Sequence, residues 1–389
     1  MLTMRHKQAL TKAIRKRYQK ANKNSKGRIL DELIATTGYN RSYARRILNN
    51  NQRLRSKKKR IRKKVYDQQL LPHLRTVWIA ADNICSKRLK PFIPELIKIL
   101  ISKRELKLDQ ESKKKLLSIS CATIDRILQP VKKSYRLKGR STTKPGTLLR
   151  GAIPIRTFAD WNEKTPGFFE ADLVAFCGVS NSGDFLNVLD STDVFTGWIT
   201  LEAFMGKAQS RVYPAVENIR QRLPFPLLGL DSDNGSEFIN GLLNRYCQSN
   251  NITFTRSRAY RKNDNCYVEQ KNYSVVRRFL GYARFDTDRE LAITKEILKL
   301  VEIYVNFFQP SAKLISKIRI ENKTKKIYDT AKTPYRRLLE SGILIQSEEV
   351  QITQTYHSLN PMDLRRKINK LIQKLNQVNR YKLVESTNS

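Results

Sequence analysis

Leu227-Leu228-Gly229-Leu230-Asp231-Ser232-Asp233-Asn234-Gly235-Ser236-Glu237-Phe238 is the stretch that decides the fold of this 389-residue chain. The apolar run ahead of Asp231 has the length of a short buried strand, and Asn234-Gly235 is a turn signal that ends it. Asp231 and Asp233 are two residues apart, so an extended backbone sends both to the same side at the strand's C-terminal edge. A second strand is read in Phe168-Phe169-Glu170-Ala171-Asp172-Leu173-Val174-Ala175-Phe176. That run is too apolar to carry Asp172 unless the carboxylate is paired, neutralised or metal-bound. Glu269 lies on a helix-like segment in which Val268, Val275, Val276, Phe279 and Leu280 recur at helical spacing, so that face packs and Glu269 stands beside it. Three carboxylates from two strands and one helix are therefore expected to converge.

This pattern resembles the catalytic core of the retroviral-integrase superfamily, which includes many bacterial insertion-sequence transposases of the Asp-Asp-Glu type. The pieces that carry the resemblance are Glu170-Ala171-Asp172-Leu173, the stretch from Asp231 to Phe238, and Glu269 with 35 residues between it and Asp233. That spacing selects Asp233 over Asp231. The resemblance implies an α/β ribonuclease-H-like core, a mixed sheet flanked by helices, preceded by all-α helix-turn-helix DNA-binding modules. It also implies a transposase that binds terminal repeats, cleaves phosphodiester bonds to free 3′-hydroxyl ends and joins them to target DNA. Asp172, Asp233 and Glu269 would be its catalytic and metal-binding residues, with Asp172 bridging two Mg2+ (or Mn2+) ions and the other two acids each completing one. Carboxylate oxygens are the donors such hard ions accept.

Retroviral integrases carry a His-His-Cys-Cys zinc module before the core. This chain has only His6, His73 and His357, so the resemblance is to the bacterial branch, with a cytoplasmic, nucleoid-associated location and a homo-oligomer on double-stranded DNA as its implications. Family members commonly place a Lys or Arg seven positions after the glutamate. Val276 stands there, which shifts the expected phosphate contact to Arg277 and Arg278.

Charge divides the chain in the same sense. The net charge is +40. Residues 1–150 hold 41 Lys and Arg against 9 Asp and Glu, whereas residues 166–310 hold 16 against 17. A basic field of that size favours a nucleic-acid partner, because counterion release scales with phosphate contacts. A membrane partner is not expected, since no long amphipathic basic helix dominates and the longest apolar run, residues 92–101, is short and interrupted. Arg5, His6 and Lys7 are followed by no apolar stretch, so the N-terminus does not read as a signal peptide. Cys85, Cys121, Cys177, Cys247 and Cys266 are scattered without a Cys-x-x-Cys pair, which argues for a reducing compartment and against structural zinc.

Six segments follow from composition: 1–52, a helix-turn-helix module; 53–64, a linker with nine Lys or Arg in twelve positions; 65–130, a second helical module; 131–165, a basic linker; 166–310, the integrase-type core; and 311–389, a basic C-terminal region. In the first module Leu30, Leu33 and Ile34 form one stripe, Gly38 the turn, and Tyr43, Ala44, Ile47 and Leu48 a second stripe, with Asn40 as N-cap. Arg41, Arg45 and Arg46 then lie off the buried side, where a recognition helix would meet a major groove. An ordinary helical hairpin with a solvated basic face is the competing reading. In the second module Ser120 caps a helix with Ile124, Ile127 and Leu128 inward and Ala122, Thr123 and Arg126 outward.

Arg140 in the second linker, and Arg261 and Lys262 in a loop over residues 259–266, are further expected DNA contacts. Asp190 and Asp193 read as turn or surface acids. Within the core, residues 184–190 and 197–204 read as strands, 210–222 as a helix and 291–308 as a long closing helix. Asn360 and Pro361 start a helix with Leu364, Ile368, Leu371, Ile372 and Leu375 along one side. That side suits another subunit, DNA or the chain itself. Two other functions remain open: a catalytically silent or domesticated DNA-binding regulator with the same fold, and a ribonuclease-H-type nuclease. A tyrosine or serine recombinase would need an Arg and His constellation that three scattered histidines do not supply.

Overall fold

Three short amphipathic helices, Met4–Lys20 (α1), Lys23–Thr37 (α2) and Arg41–Asn49 (α3), pack around Tyr18, Ile29, Leu30, Leu33, Ala44 and Leu48. The computed structural model describes residues 2–49, 66, 69–132, 165–206, 209–233, 238, 241–257, 266–320 and 323–387. It divides into two compact units, Met1–Val65 and Tyr66–Ser389. In the first, Gly38 closes α2 at φ 69°, a left-handed conformation that glycine adopts without a Cβ penalty. The Asn40 side chain accepts the Ser42 N–H at 2.9 Å and starts α3. Tyr43, read from sequence as part of the buried stripe, is instead exposed; it sits edge-on to Tyr39 with the Arg46 guanidinium over its ring. The leading helix α1 was not read from the sequence.

The second unit opens with four helices, Leu70–Ala80 (α4), Ser86–Ser102 (α5), Gln110–Ser118 (α6) and Cys121–Lys132 (α7). Ser120 caps α7 by accepting the Thr123 N–H at 3.2 Å. Thr123 itself is buried, contrary to the outward position expected of it, because its hydroxyl takes hydrogen bonds from Ser120 and Arg126.

Then comes the sheet: Phe168–Ala175 (β1), Leu186–Asp193 (β2), Ile199–Met205 (β3), helix Gln209–Arg222 (α8), Gly229–Ser232 (β4), helix Gly241–Ser249 (α9) and Thr253–Arg256 (β5). The strand order is β3-β2-β1-β4-β5, with β1, β2 and β3 antiparallel and β4 and β5 parallel to β1. A three-stranded meander followed by alternating helix and parallel strand is the topology expected for the ribonuclease-H-like core. Gly229 lets β4 lie close to β1, since a Cβ there would run into the Phe168 ring.

After β5 come Cys266–Lys271 (α10), a π-helical segment Asn272–Arg277, Arg278–Leu280 (α11) and the long Asp288–Phe308 (α12). α12 is entered through a capping box between Thr287 and Glu290. Its C-terminal residues tie three layers together. Asn306 donates to and accepts from the Ile199 backbone at 2.9 Å each on edge strand β3, Gln309 donates to Ala81 O at 2.9 Å, and Tyr304 donates to Ala80 O at 2.8 Å.

Beyond it lie a hairpin, Leu314–Ile320 (β6) and Lys323–Tyr328 (β7), and three helices, Pro334–Ser341 (α13), Gln346–Ser358 (α14) and Pro361–Thr387 (α15). Leu364, Ile368 and Leu375 of α15 are buried in the core shared with α12, so this face docks on its own chain. Ile368→Ala removes a fully buried side chain and is expected to lower the unfolding free energy by about 2–5 kcal/mol. An unshifted denaturant midpoint would show that α15 contributes nothing to the fold.

Candidate active site

The parallel register sets Glu170 against Asp231 and Ala171 against Ser232, so the next residues along, Asp172 and Asp233, emerge side by side at the end of the paired segment. Glu269 comes from α10, which lies against β1 and β2. Asp172 is partly buried, whereas Glu269 is exposed. The Asp172 carboxyl is pushed up to about 7, by burial first, then by the charge of Asp233, with Glu269 adding to the effect. Two hydrogen bonds oppose that rise: the Leu173 N–H to Oδ1 at 2.8 Å and Asn272 Nδ2 to Oδ2 at 2.6 Å. The three expected carboxylates thus share one electrostatic environment centred on Asp172. Among the described residues, no group of three His, Cys, Asp or Glu is gathered tightly enough to hold a single metal ion.

Three residues beneath these acids were given no role from sequence. Glu170, fully buried two positions before Asp172, accepts the backbone N–H groups of Tyr267 at 2.8 Å and Val268 at 3.0 Å. Its Oε2 therefore caps the helix that carries Glu269, across 97 residues of chain. Burial, with the charges of Asp231 and Glu269 adding, raises its carboxyl to about 8. The only available sequence signal was the period of two, which puts Glu170 and Asp172 on the same side of β1. Asn272, three positions after Glu269, holds Asp172 from the π-helical segment; such segments recur at functional sites. Lys271 has its pKa lowered to about 8 by burial, with Arg88 adding to the fall and Asp190 opposing it.

Asp190 and Asp193 are not surface acids. Asp190 is fully buried opposite Asp172 in the β1–β2 register, and burial raises its pKa well above the usual carboxylate range. Asp193 is also fully buried and holds the β2–β3 turn, accepting the N–H of Gly167 at 2.9 Å and both the N–H and the hydroxyl of Thr196 at 2.6 Å. Asp231 is buried beside the site and accepts the Thr255 hydroxyl.

The basic residues fare differently from one another. Arg277 and Arg278 both hold partners within the chain, Arg277 half-buried and Arg278 still exposed. Arg277 donates to Ala175 O at 2.8 Å and stacks over the Phe176 and Tyr282 rings, while Arg278 pairs with Asp82 at 2.8 Å. Val276, where the family resemblance implies a basic residue, is fully buried. Arg45 and Arg46 are exposed on α3, Arg41 is exposed but paired with Asp31, and Arg126 is exposed on α7. Arg140, Arg261 and Lys262, with both linkers' basic runs, lie outside the described residues.

No family model matches the chain. Over 338 residues it is 38% identical to "Uncharacterized protein y4rM" of Sinorhizobium fredii (strain NBRC 101917 / NGR234), covering 86% of this chain and 96% of that one. The chain belongs to the y4rM family. Among solved structures, the catalytic core domain of BIV integrase overlaps 45% of the chain and 95% of its own length, at 19% identity and a TM-score of 0.29. The HTLV-2 integrase catalytic core domain in complex with magnesium overlaps 38% and 91%, at 14% identity and 0.29. Overlaps of that depth add nothing to what strand order and register establish for this member of the y4rM family. Among its described residues no helix is long and apolar enough to cross a membrane.

Proposed function

We propose that the chain is a DNA transposase of the Asp-Asp-Glu type, which binds the terminal repeats of its element, cleaves phosphodiester bonds to free 3′-hydroxyl ends and joins those ends to target DNA. The observation that carries this reading is the placement of Asp172 beside Asp233 on parallel strands, with Glu269 brought to them by a helix capped from the same strand. Exposed arginines on α3 and the +40 net charge support a nucleic-acid substrate, and helix-turn-helix recognition of the repeats is part of the proposal.

The donor set fits divalent cations. Burial first, and then the like charges of Asp233 and Glu269, raise the Asp172 carboxyl to about 7, and a hard cation relieves the part of that cost that is excess negative charge. Asp172 with Asp233 would hold one Mg2+ or Mn2+ and Asp172 with Glu269 a second, an arrangement that asks for pairs sharing Asp172 rather than a closed triple. Bound there, the ions would neutralise charge building on phosphorus and activate the oxygen nucleophile. The chain itself fixes the acids: Asn272 orients the Asp172 carboxylate, and Glu170 sets the height of Glu269 above the sheet.

The test is cleavage and strand transfer on the element's own end sequences with Mg2+ or Mn2+. Both steps are expected to require the metal and to stop on chelation. A ligand carboxyl must lose its proton before it takes a cation, so at limiting metal activity should fall as pH drops through about 7, and added metal should move that fall to lower pH. Chelator-insensitive cleavage, or none on those ends, would overturn the proposal.

A further inference from the structure

We infer that the β6–β7 hairpin is an arm that grips double-stranded DNA, an inference that rests on the reading of this chain as one that acts on DNA. The two strands contain Lys317, Arg319, Lys323, Lys325 and Lys326 and no Asp or Glu. The register sets Arg319 against Thr324 and Ile318 against Lys325, so no acidic residue faces either cation across the ladder. Arg319, Lys325 and Lys326 are exposed, and among the described residues none of them has a carboxylate within ion-pair distance. On the same ribbon, Ile315, Ile318 and Tyr328 are 66%, 46% and 52% exposed. A lone two-stranded hairpin is marginally stable in water, and this one leaves much of its apolar surface uncovered.

Its base, by contrast, is fixed. Lys313 donates through Nζ to Val194 O at 2.7 Å and to Phe195 O, on the turn that joins β2 to β3. The Lys313 N–H donates to Asp329 at 2.6 Å, and Asp329 pairs in turn with Arg337 at 2.7 Å. The arm is thus held at the edge of the sheet while its strands stand in solvent. A two-stranded ribbon fits the major groove of duplex DNA, where lysines and arginines meet phosphates and methyl-bearing side chains meet base edges. A second copy of the chain would bring the same uncompensated positive charges against these strands. A polyanion removes them.

The test compares the full chain with its Arg319→Gln/Lys325→Gln/Lys326→Gln variant, by fluorescence anisotropy on a labelled duplex across a salt series. The variant is expected to bind roughly tenfold or more weakly at low salt, with a log–log salt slope shallower by about two to three, the loss of three phosphate contacts. Its thermal midpoint should match the parent, and Lys325→Arg/Lys326→Arg should keep parental affinity. If the parent binds no DNA at any salt, the proposed function itself fails. If the parent binds and the triple variant shows the same affinity and slope, the arm does not touch DNA. Loss of self-association in sedimentation with DNA binding unchanged would make the hairpin a contact between copies and overturn the inference.

Discussion

Asp233→Asn and Glu269→Gln are each expected to lower metal-dependent cleavage and strand transfer by at least about a thousandfold while duplex binding stays within about twofold of the parent. The size follows from the charge: losing one ligand carboxylate forfeits several kcal/mol of stabilisation of the charge that builds on phosphorus, and about 4 kcal/mol is roughly a thousandfold in rate. Both substitutions keep side-chain shape, and both remove a charge that crowds Asp172, so folding is expected to hold or improve slightly. DNA affinity resides in the basic segments and should be spared.

Asp231→Asn is the discriminating control. Its carboxylate is buried against the Thr255 hydroxyl instead of emerging past the strand end, so it should disturb turnover far less than Asp233→Asn. Parental turnover in Asp233→Asn or Glu269→Gln would sink the assignment. A joint loss of binding and cleavage would mark the acids as structural.

The elements that carry these acids were readable because their signals are local. An apolar run broken by one carboxylate marked β1, a short apolar run ending in Asn234-Gly235 marked β4, and the valines after Glu269 marked its helix. What stayed hidden depends on partners distant in the chain. Asp190 looked like the end of a strand because Asp193 follows it three residues later, yet the ladder continues through Asp193 and buries both. β5 is four residues long with Phe254 its one large apolar side chain, too short a pattern to stand out, and half of β7 is lysine, which strands disfavour. Arg277 and Arg278 looked free because their acceptors, Ala175 O and Asp82, lie about a hundred residues or more away. α15 carried an apolar stripe whose partner the sequence left open, and α12 supplies it.

Glu170 is the clearest case of a residue whose part appears only in three dimensions, and Glu170→Ala is expected to cost about 10–100-fold in kcat. The alanine variant leaves the Tyr267 and Val268 N–H groups unpaired in a buried site, at about 1–3 kcal/mol each, so the helix end frees itself from β1 and Glu269 loses its fixed height over Asp172. Glu170→Gln should restore most of the rate. The carboxyl, raised to about 8, carries a proton at neutral pH, so an amide whose oxygen accepts the same two N–H groups is its nearest mimic. A merely structural role would lower stability and leave the rate per folded molecule unchanged. A positioning role lowers kcat with KM for the DNA end unchanged, and speeds hydrogen exchange at the Tyr267 and Val268 amides before that of the sheet. Parental kcat in Glu170→Ala, with those amides still protected, would show that α10 holds Glu269 in place without the cap.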